Sequence, residues 1–382
     1  MTNALVVGGG IGGLTTALAL AQEGHRVTVV EQAPRFEAVG SGIVLAPNAV
    51  HVLRRLGVDL IGIGQVIDRS EVRPATGRAW FVADLAGSDG PTFGVPRPAL
   101  HAALAEALPA SVEIVHGRRV EAVEPVASAD GTGARVAVRW GETVRHVDMV
   151  IGADGLRSAV REMAVGPRRL RYSGTTCWRG FTPWSGGATA VEAWGTGTRV
   201  GVVPTGGGSA YYYLVRTAPQ GEPGPSEVST IRRWFAGYEG VAGRVIEALE
   251  AVPPLHHDLI ELDRPVWGSG RVVLLGDAAH AMTPNQGQGA AMAIEDALAV
   301  ALALRGGVDG ALERYARMRS RRVRRVQLSS RLIGRVAHTG GPRVARMRDA
   351  VLGLAPATSG GRAVRRLVAP GIALAARSAP AE

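Results

Sequence analysis

The first thirty-one residues constrain the fold more than any other stretch. ALVVGG (4–9) is a short apolar run, IGGLTTALALAQEG (11–24) carries helical spacing, and RVTVVE (26–31) is a β-branched run ending in an acid. The pattern predicts strand, helix, strand, with Gly8, Gly10 and Gly13 on a G-x-G-x-x-G spacing at the first turn. Without Cβ atoms the backbone there can approach a pyrophosphate, and the helix can pack tightly on the strand. The helix start, at Ile11 and Gly12, offers unpaired N–H groups and a positive dipole end. Glu31 follows about 20 residues on, at a strand tip where a carboxylate accepts from ribose hydroxyls. The same acid would repel a 2′-phosphate. The turn therefore reads as a cradle for FAD or NAD and not NADP.

Two later segments extend the pattern. MVIGADGLRSAVR (149–161) reads as a strand, an Asp-Gly turn at Asp154 and a helix start. VVLLG (272–276) reads as a strand leading through Asp277 and a loop into a helix that begins near Gly287. An acid at a strand's carboxyl end is placed to accept from sugar or ribityl hydroxyls. Gly287 and Gly289 leave backbone amides free at a helix start, suited to electron-rich carbonyls or an anion.

The chain has 382 residues, enough for two joined domains, and no repeat or low-complexity tract. No basic leader precedes ALVVGGG and no uninterrupted apolar run is long enough for a transmembrane helix, so a cytoplasmic protein is expected. The lone Cys177 excludes an internal disulfide and any multi-cysteine metal site. The net charge of +10 is unevenly spread: residues 305–382 carry +13 and the rest −3, all the cations being arginine. Leu312, Tyr315, Val323, Val326, Ile333 and Val336 mark an amphipathic helix in that tail, with its arginines expected on an outer, solvated face. The tail is expected to be structural, and no nucleic acid is expected as a partner. Eleven of eighteen aromatic residues lie between Tyr172 and Tyr238, in a segment with strand-like alternation. Tyr211 and Tyr213 share one face of SAYYYLV and Tyr212 takes the other.

The whole resembles the FAD-dependent aromatic hydroxylases, single-component flavoprotein monooxygenases with the para-hydroxybenzoate hydroxylase fold. GGGIGG with Glu31, SGIVLAPNA (41–49), Arg97 and Leu100 of PRPALHAAL, GADGLRSAVR, the WRG of 178–180, and GDAAHAMTPNQGQGA followed by IEDA occur in that family's order. The resemblance implies an α/β fold: a Rossmann-like FAD-binding domain from 1–70, 97–170 and 266–340, a mixed β-sheet substrate domain from 71–96 and 171–265, and a helical tail from 341–382. It implies non-covalent FAD, held by Gly8, Gly10, Ile11, Gly12, Gly13, Glu31, Val44, Arg97, Val120, Asp154 and Asp277. The amides of Gly287, Gln288, Gly289, Ala290 and Ala291 would face the pyrimidine end of the flavin, with Arg157 supporting Asp154 and the Pro284 carbonyl above the reacting edge. His280 is expected to be structural, and His256 and His257 to lie in a loop without chemistry.

The resemblance further implies NADH or NADPH as a transient co-substrate, no metal, and O2 giving a flavin C4a-hydroperoxide that hydroxylates an aromatic or other electron-rich small molecule. Arg179, Tyr211 and Tyr213 are the expected substrate contacts. A gate at SGIVLAPN, hinged at Gly40 and Gly42, would couple reduction to substrate. The lack of lysine argues against a flavin halogenase, whereas Baeyer-Villiger or epoxidising chemistry would use the same cofactor motifs. A non-enzymatic flavin-binding protein is the reading from a different class.

Overall fold

The computed structural model describes residues 1–36, 41–86, 89–127, 134–250, 254–356 and 359–377. Gly40, one of the two expected hinge glycines, lies outside the described residues. The opening strand, Asn3–Val7, pairs in parallel with Arg26–Val30 on one side and Met149–Gly152 on the other. Glu113–Val115 and Val272–Leu274 extend this parallel sheet, and Gly268–Ser269 closes one edge antiparallel. Val6, Val29 and Ile151 are fully buried, the apolar content that a sheet covered on both faces requires. Helices Ile11–Gln22 and Gly289–Leu304 share one core with it through Leu14, Leu18, Ile294 and Leu298.

A second, seven-stranded mixed sheet runs in the order Leu255–Leu262, Leu170–Pro183, Ser209–Thr217, Thr198–Gly206, Thr189–Trp194, Arg69–Pro74 and Phe81–Asp84. His256 and His257 therefore lie within a strand and not in the expected loop. Trp178, Val200, Val202 and Leu214 on one face pack beneath helices Val228–Trp234 and Gly240–Glu247. The other face is left to line a cavity. A small sheet of Gly42–Leu45, Thr92–Pro96 and Gln65–Ile67 presses against that face. A Cβ at Gly42 would overlap the Tyr211 ring, and one at Gly94 the Pro204 carbonyl. Gly42 thus serves close approach within a paired strand.

The tail begins with helix Ala311–Ala337, in which Tyr315, Val323 and Val326 are buried as the apolar stripe predicts. Its arginines do not all face water. Arg319 is buried, donates from Nε to Asp296 at 2.6 Å and also pairs with Glu295. Arg322 grips Glu295 from Nε at 2.7 Å and Arg331 reaches Glu261 at 2.9 Å. The expected outer face fails here because two buried acids in IEDA require buried cations. Helices Pro342–Gly353 and Ser359–Arg377 complete the chain. Among the described residues no helix is long and apolar enough to cross a membrane.

Removing Arg319 would leave two buried carboxylates short of a counter-ion. Arg319→Ala is expected to cost about 3–5 kcal/mol, read from a urea transition whose midpoint falls while its slope holds. Asp296 adds a pH signature: burial raises its pKa, but His280 and Arg319 override this and bring it down to about 2. Its stabilisation is complete above its ordinary value near 3.8 and is lost as pH falls toward 2. In Arg319→Ala that acid loss should begin at higher pH.

Candidate active site

Between the two large sheets runs a cavity of about 1260 Å³. One end is built by the glycine turn. Gly8 takes φ +103° with Ala153 O against the place of a Cβ, and a Cβ at Gly13 would overlap Gly8 O, so these two glycines close the turn. Gly10 caps the first helix with no side-chain hydrogen bond, and the space where its Cβ would lie is empty. Gly8, Gly10, Ile11 and Gly12 line the cavity, while Gly13 stands behind the wall. Glu31 accepts from the amides of Gly9 at 2.6 Å and Ala33 at 2.8 Å, one on each carboxylate oxygen. Each oxygen keeps a second lone pair for a hydroxyl.

Asp277 sits in the first turn of a short helix, Gly276–His280, where the sequence suggested a loop. Its carboxylate opens into the cavity, and no protein hydrogen bond to it occurs among the described residues. It is exposed to the lumen, yet the protein crowded around it raises its pKa through desolvation, with His280 and Arg97 offsetting part of the shift. Arg97, Val44 and Val120 line the cavity too. Asp154 also lines it, but its carboxylate accepts from the Ser158 hydroxyl and from the Val160 amide at 3.0 Å, capping the following helix. Arg157 is exposed beside it. Gly287, Gln288, Gly289 and Ala290 form another stretch of wall, at the start of Gly289–Leu304; Ala291 is buried behind it. The Pro284 carbonyl accepts from the Gly287 amide at 2.9 Å, which closes the turn leading into that helix. His280, buried and not part of the cavity wall, donates from Nε2 to Asp296 at 2.5 Å.

These residues fit an adenine dinucleotide. Two helix starts without side-chain caps, a lone carboxylate at a strand's end and a space left by Gly10 present donors and an acceptor to the same lumen.

The other end is set by strand register. Arg179, Tyr213 and Gly201 pair across neighbouring strands, and Gly201 pairs with Glu192, so the four share one row and one face. Gly201 has no side chain, and the Tyr213 ring lies over it; a Cβ there would overlap Tyr213 Cζ. The hydroxyl can thus donate to Glu192 Oε2 across the intervening strand. Glu192 also accepts from Trp194 Nε1 at 2.6 Å. The next row holds Trp194, Arg199, Val215, Cys177 and His257. Arg199 is buried and donates to Asn285 Oδ1 at 2.8 Å, tying this sheet to the Pro284 turn. Arg179 donates from Nε to Cys177 Sγ at 3.3 Å. Cys177 is buried, as expected for an inert thiol.

The protonation states divide the face into donors and one acceptor. Burial pushes Tyr211 up to about 12, against the pull of Arg179, and raises Tyr213 still further, with Glu192 adding to the rise. Both phenols stay neutral at pH 7. His257 is open to the lumen, and desolvation by the surrounding protein together with the neighbouring Arg179 brings it down to about 4, leaving a neutral imidazole on the cavity wall. Sequence reading passed over His257, Glu192 and Arg199, because the strand pairing that brings them together is non-local. It also missed Val364, Leu367 and Val368 of the last helix, which line the cavity.

The family profile described as FAD binding domain matches residues 1–330. Aurachin C monooxygenase/isomerase of Stigmatella aurantiaca is 35% identical over 347 residues, covering 87% of this chain and 88% of that protein. 3-Hydroxybenzoate 6-hydroxylase 1 of Aquipseudomonas alcaligenes is 33% identical, covering 92% of this chain and 93% of its own length. The crystal structure of Klebsiella pneumoniae HpxO complexed with FAD and uric acid superposes with a TM-score of 0.84 at 27% identity, over 97% of each chain. The family match over residues 1–330, with relatives 33–35% identical over most of the chain, places it in the FAD binding domain family, as an FAD-dependent monooxygenase.

Proposed function

We propose that the chain hydroxylates an aromatic small molecule with NADH or NADPH and O2, acting in the cytoplasm. The observation that carries this reading is the single continuous cavity. Its volume exceeds the roughly 300–1,000 Å³ of an ordinary small-molecule site, giving room for FAD and a second ring. Relatives support an aromatic substrate, among them a 2-heptyl-3-hydroxy-4(1H)-quinolone synthase, a 6-hydroxynicotinate 3-monooxygenase and the hydroxybenzoate 6-hydroxylase. In this reading residues 1–70, 97–170 and 266–340 serve the cofactor, 71–96 and 171–265 the substrate, and 341–382 close the molecule as its tail.

The amides at Ile11 to Gly13 would receive the pyrophosphate, Glu31 the ribose, Asp277 the ribityl region with Arg97 nearby, and the Gly287–Ala290 amides the pyrimidine ring. When bound, FAD supplies the redox chemistry and oxygen activation. The chain's own tasks are orientation, dryness and one proton. Arg179 and the neutral Tyr211 hydroxyl offer donors to a substrate oxygen. Tyr213, held by Glu192, keeps its ring fixed as a wall. His257, neutral and without a protein partner among the described residues, is the group on this face able to accept a phenolic proton. Apolar Val203, Val364 and Leu367 keep water out.

The reading is tested by screening small aromatics for stimulated NAD(P)H consumption and for a product heavier by one oxygen atom. Consumption that no aromatic stimulates would reject it. The protein is expected to purify yellow and to release intact FAD on acid denaturation. Asp277→Ala should weaken FAD binding by about ten- to a hundredfold, the worth of hydrogen bonds to a charged group; equal affinity would remove Asp277 from the site.

A true substrate should accelerate anaerobic NAD(P)H oxidation by at least about tenfold, a barrier change of about 1.4 kcal/mol. Arg179→Ala and Tyr213→Phe should each reduce that stimulation with FAD retained, and unchanged stimulation in both would move the substrate contacts elsewhere. His257→Gln should slow hydroxylation by about a hundredfold or more. Since the imidazole takes a proton only near pH 4, the acid limb of the wild-type profile should lie well below the usual histidine range. A limb centred near 6.5 would contradict the assignment.

A further inference from the structure

The helix Pro342–Gly353 carries a row of apolar side chains that nothing in the described chain covers. Ala345 and Arg348 face inward and are buried. Val344, Met347, Val351 and Leu354 form a row beside that face at spacings of three and four, with Met347 63%, Val351 61% and Leu354 86% exposed. An apolar stripe of this width ordinarily faces a core. Arg343 and Arg346 on the same helix, and Arg362, Arg365 and Arg366 on the next helix in the chain, Ser359–Arg377, are all exposed. Asp349, the acid of this helix, is already paired with Arg348 at 2.7 Å.

The combination selects a partner. A second copy meeting this face symmetrically would set arginine against arginine. Nucleic acid would satisfy the cations and leave the apolar row in water. An anionic lipid surface satisfies both, since a basic amphipathic helix lies in the interface with its apolar side at the headgroup–acyl boundary. We propose that the Pro342–Gly353 helix docks this protein on anionic membranes, with Val344, Met347, Val351 and Leu354 inserted and the flanking arginines on lipid phosphates. The neighbouring helix Ser359–Arg377 presents Val364, Leu367 and Val368 to the cavity. Docking of this carboxy-terminal segment would bring the protein to the bilayer, where a lipophilic aromatic substrate would partition. That last consequence rests on the proposed function; the docking does not.

The test is sedimentation of the FAD-loaded protein with sucrose-filled vesicles of phosphatidylcholine, with and without phosphatidylglycerol. Binding is expected to be at least about tenfold stronger with the anionic lipid and to weaken with salt. A Met347→Glu, Val351→Glu double variant should lose about tenfold or more of that binding, while FAD content and circular dichroism match the wild type. Arg343→Gln with Arg346→Gln should lower the salt dependence. No preference for anionic vesicles, or unchanged binding in the glutamate variant, would overturn the proposal. So would a wild-type dimer in light scattering that the glutamate variant dissolves, or salt-sensitive RNA or DNA binding that it leaves intact. Loss of hydroxylation with docking preserved would reject the functional reading alone.

Discussion

Two adjacent carboxylates, Glu295 and Asp296, lie fully buried two turns into the Gly289–Leu304 helix, and the rest of the site depends on how they are neutralised. Each buried charge carries an effective penalty of several kcal/mol, which only close partners offset. Arg319, Arg322 and His280 supply those partners from three directions. The arrangement reaches the cavity through neutral groups. Asp296 accepts from the Gly276 amide at 3.0 Å, immediately before Asp277. Glu295 accepts from Asn48 Nδ2 at 2.7 Å, and the same amide group reaches Gln288 Oε1 at 3.0 Å, at the cap of the helix. The carboxylate and the helix start that face the lumen are thus aimed by one ionic cluster behind the wall.

At the opposite end of the cavity, position is set by omission. Gly201 leaves a gap in the middle of a sheet, and Tyr213 fills it by lying flat across the strand to reach Glu192. Gly42 leaves another, into which Tyr211 presses from the facing sheet. Both rings gain a fixed orientation, and both lose water. The loss has a chemical consequence, since a phenol in a low-dielectric site resists ionisation. Tyrosines held this way stay protonated, while the His257 imidazole, open to the lumen yet crowded by the surrounding protein and beside Arg179, stays neutral.

The parts legible in the sequence were those written in local pattern. The Gly8–Gly13 turn, Glu31 at the strand tip and the GADG and GDAA segments follow from short spacings that constrain backbone directly. The shared face of Tyr211 and Tyr213 follows from strand alternation. What the sequence hid depends on pairing across distance. His257 lies opposite Cys177, and Glu192 opposite Gly201, only because of a register fixed by four strands. The arginines of the Ala311–Ala337 helix were misplaced for a related reason. Periodicity separates apolar from polar faces, and it cannot see that Arg319 has a buried acid pair to meet.

The carboxy-terminal helices show how a basic segment can belong to the site without touching the cofactor. Ser359–Arg377 approaches so closely that a Cβ at Gly371 would overlap the Glu295 carboxylate, and Arg322 donates to the Leu367 carbonyl at 2.8 Å. The helix is therefore anchored to the same ionic cluster that aims the Asp277 turn. From that anchor its apolar side reaches the cavity at Val364, which packs with Ile67, Leu85 and Tyr211. Movement of this helix would simultaneously open the substrate chamber and disturb the Glu295 contacts. Packing this close makes such movement costly, so the helix holds its place in the wall.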